Sequence, residues 1–281
     1  MTEVVEYPDL DQYLLLKNGN YLYKVPFRDG VACLKVYYGS RSLIRYIGGT
    51  ISNWFEGQTS FMPKARRRNE YECLKVWKAN GFRVFEIYDD VKVKGLPEGG
   101  YTMLEFVSAE KMITYLGRED IPLEERKRKY RLFLKDWHRR HKLAVETANP
   151  LLVHENGDMK HVMLMPDDEF LYFDLEMQYR SKRPARVRDF VAREILAYLK
   201  YTGKAVGTEL FPVFIDETVA HYPDRSLLEL AVDTMYRNRN IVVRWARAYD
   251  AKTNKVKKEE FNKYQVADEL MRALNYRPKG M

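Results

Sequence analysis

The chain is poor in the features that would staple it together or anchor it. Its 281 residues include only two cysteines, Cys33 and Cys73. That is too few for a disulfide framework and suits a reducing compartment. No apolar run approaches the ~18 residues that a membrane-spanning helix needs, and no apolar leader opens the sequence. Neither a transmembrane helix nor a signal peptide is therefore expected. Internal repeats, low-complexity tracts and long linkers are absent, which sets aside solenoids and disordered scaffolds. There is also no G-x-G-x-x-G run, the kind of loop whose backbone amides cover phosphates.

What is present is an ordinary globular composition with a basic bias. Hydrophobic residues make up 46%, enough for the cores of two small lobes. The net charge of +8 is uneven, about +2 over residues 1–107 and +6 over the remainder. Such a body attracts anionic lipid, sugar phosphate or nucleic acid, and charge does not choose among them. Val31–Tyr37 alternates like a half-buried strand, after the turn-like Arg28-Asp29-Gly30. Asn18-Gly19-Asn20 between two apolar runs reads as a tight hairpin turn. Arg66–Trp77 has helical spacing and ends near Asn80-Gly81, and Tyr101–Val107 reads as a strand.

The second half is expected to be mainly helical. Helices are predicted over Leu123–Ala148, Ala185–Tyr201 and Glu259–Leu274, with a Ser226/Glu229 capping box opening another through about Arg237. Ile241–Trp245 reads as either strand or helix, and Lys252–Lys258 as a solvated turn. His138 and His141 lie three apart without an acidic or cysteine partner in sequence, so no zinc site is expected.

The segment from Leu152 to Leu175 carries an altered kinase signature. Kinases place H-R-D-x-x-x-x-N before a strand pair and then the metal-binding Asp of D-F-G. Here His154-Glu155-Asn156 stands in place of H-R-D, His161 follows where Asn is usual, and Asp174-Leu175-Glu176 replaces D-F-G. The interval from His161 to Asp174 matches the usual separation of about 13 positions. Upstream, Lys35 lies on a strand resembling V-A-I-K, and Glu70 on the following helix is its expected partner. Tyr101–Val107 resembles the last strand of a small lobe running into an adenine-binding hinge, which places Glu105 and Val107 at the nucleotide.

Together these pieces resemble the lipopolysaccharide core kinase family, which phosphorylates heptose or Kdo sugars. The likeness rests on Lys160-His161 before an apolar strand, on Phe173-Asp174-Leu175-Glu176, and on Asn69-Glu70-Tyr71. It covers roughly residues 21–200. It implies an α+β, two-lobed protein-kinase-like fold. An antiparallel-sheet N-lobe is expected over 1–107, and a mainly helical C-lobe with a C-terminal extension over 108–281. It also implies ATP and Mg2+ as cofactors, a sugar or anionic glycolipid acceptor, and a cytoplasmic location, peripheral to the membrane's inner face. Nucleic acid is not the expected partner.

The departures bear on activity. Asn156 stands at the general-base position, and an amide cannot accept a hydroxyl proton as a carboxylate does. Asp158, two residues on, either reaches the site as base or caps a turn. Asp174 is the expected magnesium ligand, because a carboxylate ending an apolar strand needs a cation or partner. His161 is a poorer magnesium ligand than Asn. It either hydrogen-bonds a metal water or phosphate, or begins a hairpin with a backbone bond. Glu176 is a candidate second carboxylate, and Asp189 either braces the catalytic loop or simply begins its helix.

Between Lys35 and Glu70 lies an insertion containing Ser42–Phe55, flanked by Arg41, Arg45, Lys64 and Arg66–Arg68. It reads either as a lid packed on the small lobe or as a membrane-resting segment. Gly48-Gly49 argues against one continuous helix. Arg66–Arg68 is either a solvated helix start or a phosphate contact. Three functional classes follow: an active sugar kinase, a catalytically impaired pseudokinase scaffold, and a basic nucleic-acid binder that would leave the kinase-like order unexplained. A RIO-type protein kinase is a further enzyme alternative.

Overall fold

A computed structural model describes residues 2–39, 41–236 and 261–278. The chain divides into two compact units, Met1–Ala109 with Leu171–Arg180, and Glu110–Phe170 with Ser181–Met281. Leu171–Arg180, from the last strand of the hairpin onwards, thus belong to the first unit, a return that the expected break at 107 does not contain.

The first unit runs β1 (Glu3–Val5), β2 (Leu14–Lys17), β3 (Tyr21–Phe27), β4 (Gly30–Val36), α1 (Leu43–Phe55), α2 (Pro63–Ala79), β5 (Val91–Val93) and β6 (Tyr101–Glu105). Four strands form an antiparallel sheet in the order β2-β3-β4-β6, and β1 pairs with β5 in parallel. The hairpin at Asn18–Asn20 forms as its sequence requires, with Gly19 at φ 75°, a value that carries little steric cost without a Cβ. Alternation then sorts the two faces of β3 and β4. Tyr23, Val25 and Phe27 join Ala32, Leu34 and Val36 in one core with Val91, Val93 and Met103. Lys35, odd among even positions, points to the opposite face.

Helix α2 begins with Pro63 in its first turn and ends at Ala79, capped by Asn80 and followed by Gly81 at φ 73°. It buries Cys73, Leu74 and Trp77. Helix α1 corrects an expectation, because it continues through Gly48-Gly49. A Cβ on Gly49 would lie 2.7 Å from Cδ1 of Phe61, whereas Gly48 has nothing within 4 Å. Gly49 therefore lets the helix lie close to Phe61, and propensity gives way to packing.

The second unit contains α3 (Met112–Gly117), α4 (Leu123–Glu146), α5 (Pro184–His221), α6 (Arg225–Tyr236) and α7 (Lys263–Leu274). A short hairpin, β7 (Val162–Leu164) and β8 (Phe170–Tyr172), completes the described elements. Tyr130, Phe133 and Trp137 of α4 are fully buried, as are Val191, Ile195, Tyr198 and Leu199 of α5. Helix α4 stops short of Ala148, which adopts φ 49°. Helix α5 runs twenty residues beyond the expected Tyr201, with a break at Gly207 (φ 78°, ψ 172°).

Two caps also differ from expectation. Asp224, not a Ser226/Glu229 box, accepts the Leu227 amide at 3.3 Å, while Glu229 pairs with Arg225. A capping box does form at α7, where Asn262 and Gln265 exchange hydrogen bonds with each other's backbone. The last helix therefore begins at Lys263. Ile241–Trp245, Lys252–Lys258 and Glu259 lie outside the described residues. The architecture is the expected α+β class, an antiparallel-sheet N-terminal unit followed by a mainly helical one.

Candidate functional site

In the first unit, Lys35 stands at the centre of a buried ion cluster. Its strand β4 presents it towards α2, one turn-face of which carries Arg66, Asn69, Glu70 and Cys73. Lys35 Nζ donates to Glu70 at 2.8 Å and lies 2.5 Å from Oε1 of Glu176. Glu70 is also held by the Tyr37 hydroxyl. Glu176 accepts from Arg66 Nε at 2.8 Å and from the Asn20 side-chain amide. Arg66 in turn donates to the Gly19 carbonyl at 3.1 Å, so the β2–β3 turn is tied to the same cluster. Lys35 is 7% exposed, Glu70 3%, Glu176 4% and Arg66 3%. Burial disfavours the Lys35 ammonium, but Glu176 first and then Glu70 hold it charged, well above the ordinary lysine range.

The sequence-predicted pair Lys35–Glu70 is thus brought together. Glu176 and Arg66 complete it in a way the sequence reading did not give. The D-L-E segment and the basic helix start were each visible, but nothing in their spacing marked them as partners. Glu176 has two cationic partners and an amide, so it is not available as a second metal carboxylate. A buried pair broken by removing one partner typically loses about 3–5 kcal/mol, so replacing any one member of this cluster is expected to be costly.

Asp174 lies in the same unit with φ 66°, the left-handed region rare for residues other than glycine. Its charge adds to those that keep Lys35 protonated. Glu105, at the end of β6, pairs with Arg83 at 2.6 Å and accepts the Glu86 amide at 3.2 Å. Val107 follows, half-buried. Glu176 is committed elsewhere, and among the described residues no group of three or more His, Cys, Asp or Glu side chains could hold a metal.

The residues of the altered kinase segment from His154 to His161 fall in the second unit, where they rest on a buried ion cluster. Glu194 of α5 is fully buried and accepts the His154 amide at 2.7 Å and the Trp137 indole at 3.0 Å. Arg140 of α4 donates to Glu194 and to the Leu152 carbonyl at 2.6 Å. Burial opposes the Glu194 charge, but Arg140 and then His141 hold its carboxyl well below the usual range. Of the two alternatives for Asp189, the structure agrees with a plain helix-front residue, and it is Glu194 that braces this backbone. Asp189 sits half-exposed, 3.6 Å from Arg186 on its own helix.

Above this brace the two candidate base residues separate. Asn156 is exposed, whereas Asp158 is 0% exposed. One Asp158 oxygen accepts the Lys160 amide at 2.8 Å and the other lies 2.9 Å from the Lys160 ammonium. Asp158 thereby caps the single 3-10 turn Met159–His161. His161 Nδ1 lies 3.1 Å from the Asn156 carbonyl, a backbone bond at the start of the hairpin. A Cβ on Gly157 would meet the Tyr198 ring at 2.9 Å, so this loop lies directly on α5.

No protein-family model matches the chain, and no curated protein matches it. Among solved structures, an apo pseudokinase is similar at 13% identity over 99% of this chain and 98% of that one. Its TM-score is 0.39, too low to carry a family or an activity.

Proposed function

We propose that this chain is a protein-kinase-like protein that does not complete phosphoryl transfer, a pseudokinase with its lysine held closed. The observation that carries this reading is Glu176 seated on Lys35 beside Glu70. In an active kinase such a lysine pairs with the helix glutamate and offers its remaining capacity to ATP phosphates. Here a carboxylate of the chain takes that capacity, and Arg66 and the Asn18–Asn20 turn hold the carboxylate in place. The base position adds support, since the outward residue is the amide Asn156 while Asp158 is used as a cap.

The second reading is an ATP- and magnesium-dependent transferase acting on a sugar hydroxyl, as the lipopolysaccharide core kinase resemblance suggests. The formed Lys35–Glu70 pair and the strained backbone at Asp174 favour it. In that reading Glu105 and Val107 lie at the adenine, Asp174 and His161 on the metal side, and Asp158 or Asn156 at the acceptor.

Incubating the protein with γ-labelled ATP and magnesium separates the two. One sample contains lipopolysaccharide and the other a protein mixture. The pseudokinase reading expects no label in either. Labelled lipopolysaccharide would establish the sugar kinase, and labelled protein a RIO-type or other protein kinase.

A further inference from the structure

Helix α1 exposes an apolar stripe that no other part of the protein covers among the described residues. Leu43, Ile44, Ile47, Ile51, Trp54 and Phe55 are 64%, 82%, 48%, 55%, 61% and 77% exposed. Their i, i+3, i+7 spacing gathers them on one side of the helix. The opposite side is fixed to the protein. Tyr46 is buried, Gly49 abuts Phe61, and Asn53 donates to the Thr59 carbonyl at 3.2 Å. The helix is therefore held so that the stripe faces outwards, and a contiguous apolar stripe of this kind marks an interaction surface.

The surrounding charge indicates what does. From residue 41 to residue 68 the chain carries Arg41, Arg45, Lys64, Arg67 and Arg68 against the single acid Glu56, while Arg66 is buried on Glu176 and adds nothing to this surface. Arg45, Lys64 and Arg68 are exposed. Arg180, also exposed, donates to the Trp54 carbonyl at 3.1 Å and so adds a cation at the far end of the stripe. A convex aliphatic and aromatic stripe, flanked by cations and carrying Trp54 near its end, matches a helix lying in the headgroup boundary of a bilayer. A protein groove would not require this one-sided charge.

We propose that α1 docks this protein on an anionic lipid surface, with Ile44, Ile47, Ile51, Trp54 and Phe55 entering the acyl boundary. Arg45 and Arg180 then sit among the headgroups. No described helix is long and apolar enough to cross a membrane, so the contact is with one leaflet. This inference does not depend on whether the chain transfers phosphate.

The test is co-flotation of the full chain with phosphatidylglycerol vesicles and with phosphatidylcholine vesicles, with solution mass measured in parallel. Binding to phosphatidylglycerol that weakens with salt is expected. The double variant Ile47→Ser, Trp54→Ser should lose about tenfold or more of that binding, since each removes a large apolar contact. Arg45→Glu should lose about tenfold on phosphatidylglycerol and little on phosphatidylcholine. Both variants change exposed positions, and an unchanged melting temperature verifies their folding. Undiminished binding by the double variant overturns the proposal. So does a native protein that ignores both vesicles, including one that instead forms a dimer which the double variant dissociates.

Discussion

His141 shows how one side chain can set the acid limit of the second unit. Its Nδ1 lies 2.8 Å from the Tyr222 hydroxyl and its Nε2 lies 3.2 Å from Glu194. The first of these suits a neutral ring whose Nδ1 accepts from the Tyr222 hydroxyl. Burial pushes the imidazole down to about 4, against the pull of Glu194. The unfolded chain takes up this proton as pH falls through about 6.5, while the folded chain resists until about 4. Stability is therefore full above that window and is lost on acidification across it. The loss is on the order of 3 kcal/mol at about 1.4 kcal/mol per unit. Below the ordinary glutamate range, the depressed Glu194 adds a further loss. Denaturant unfolding at stepped pH should show this slope, and His141→Gln should flatten it, leaving the smaller share of His138, which burial also lowers. An unchanged slope in the variant would remove His141 from the account. None of this was legible in the sequence. His141 could be tested there only against metal spacing, because its partners lie 53 and 81 positions away.

At the scale of elements, periodicity served where burial is one-sided and failed where contact decides. The strand bearing Lys35, the Asn18–Asn20 turn and α2 with its Asn80-Gly81 end were readable, because each is local in sequence. The Gly48-Gly49 pair was misread, since the two glycines are alike in sequence and differ only in what surrounds them. That difference gives a paired prediction. Gly48→Ala faces open space and should stabilise the protein by about 1 kcal/mol through helix propensity. Gly49→Ala places its methyl 2.7 Å from Phe61 and should destabilise by about 1–3 kcal/mol, as overpacking does. Thermal melts of the two variants would check this, and equal shifts would mean that Phe61 yields freely. The length of α5 was hidden for a similar reason. Its break at Gly207 keeps the chain helical on both sides without a shared apolar phase.

At the scale of the whole molecule, the order of Lys35, Glu70, hinge-like strand and D-L-E was legible, because ordered motifs survive in a linear reading. What Glu176 does with Lys35 was not, since the same D-L-E letters suit a metal carboxylate or an internal clamp. The geometry of the first unit favours the clamp, with Arg66 and Asn20 holding it shut. The most direct measurement is the melting temperature of the native protein and of Glu176→Gln, titrated with ATP and magnesium. The closed-lysine account predicts no nucleotide shift for the native chain and a shift for Glu176→Gln, where the competing charge is gone but the side-chain shape remains. Native stabilisation by ATP, approaching about 2.7 kcal/mol at roughly 100 times Kd and lost in Lys35→Ala, would contradict it.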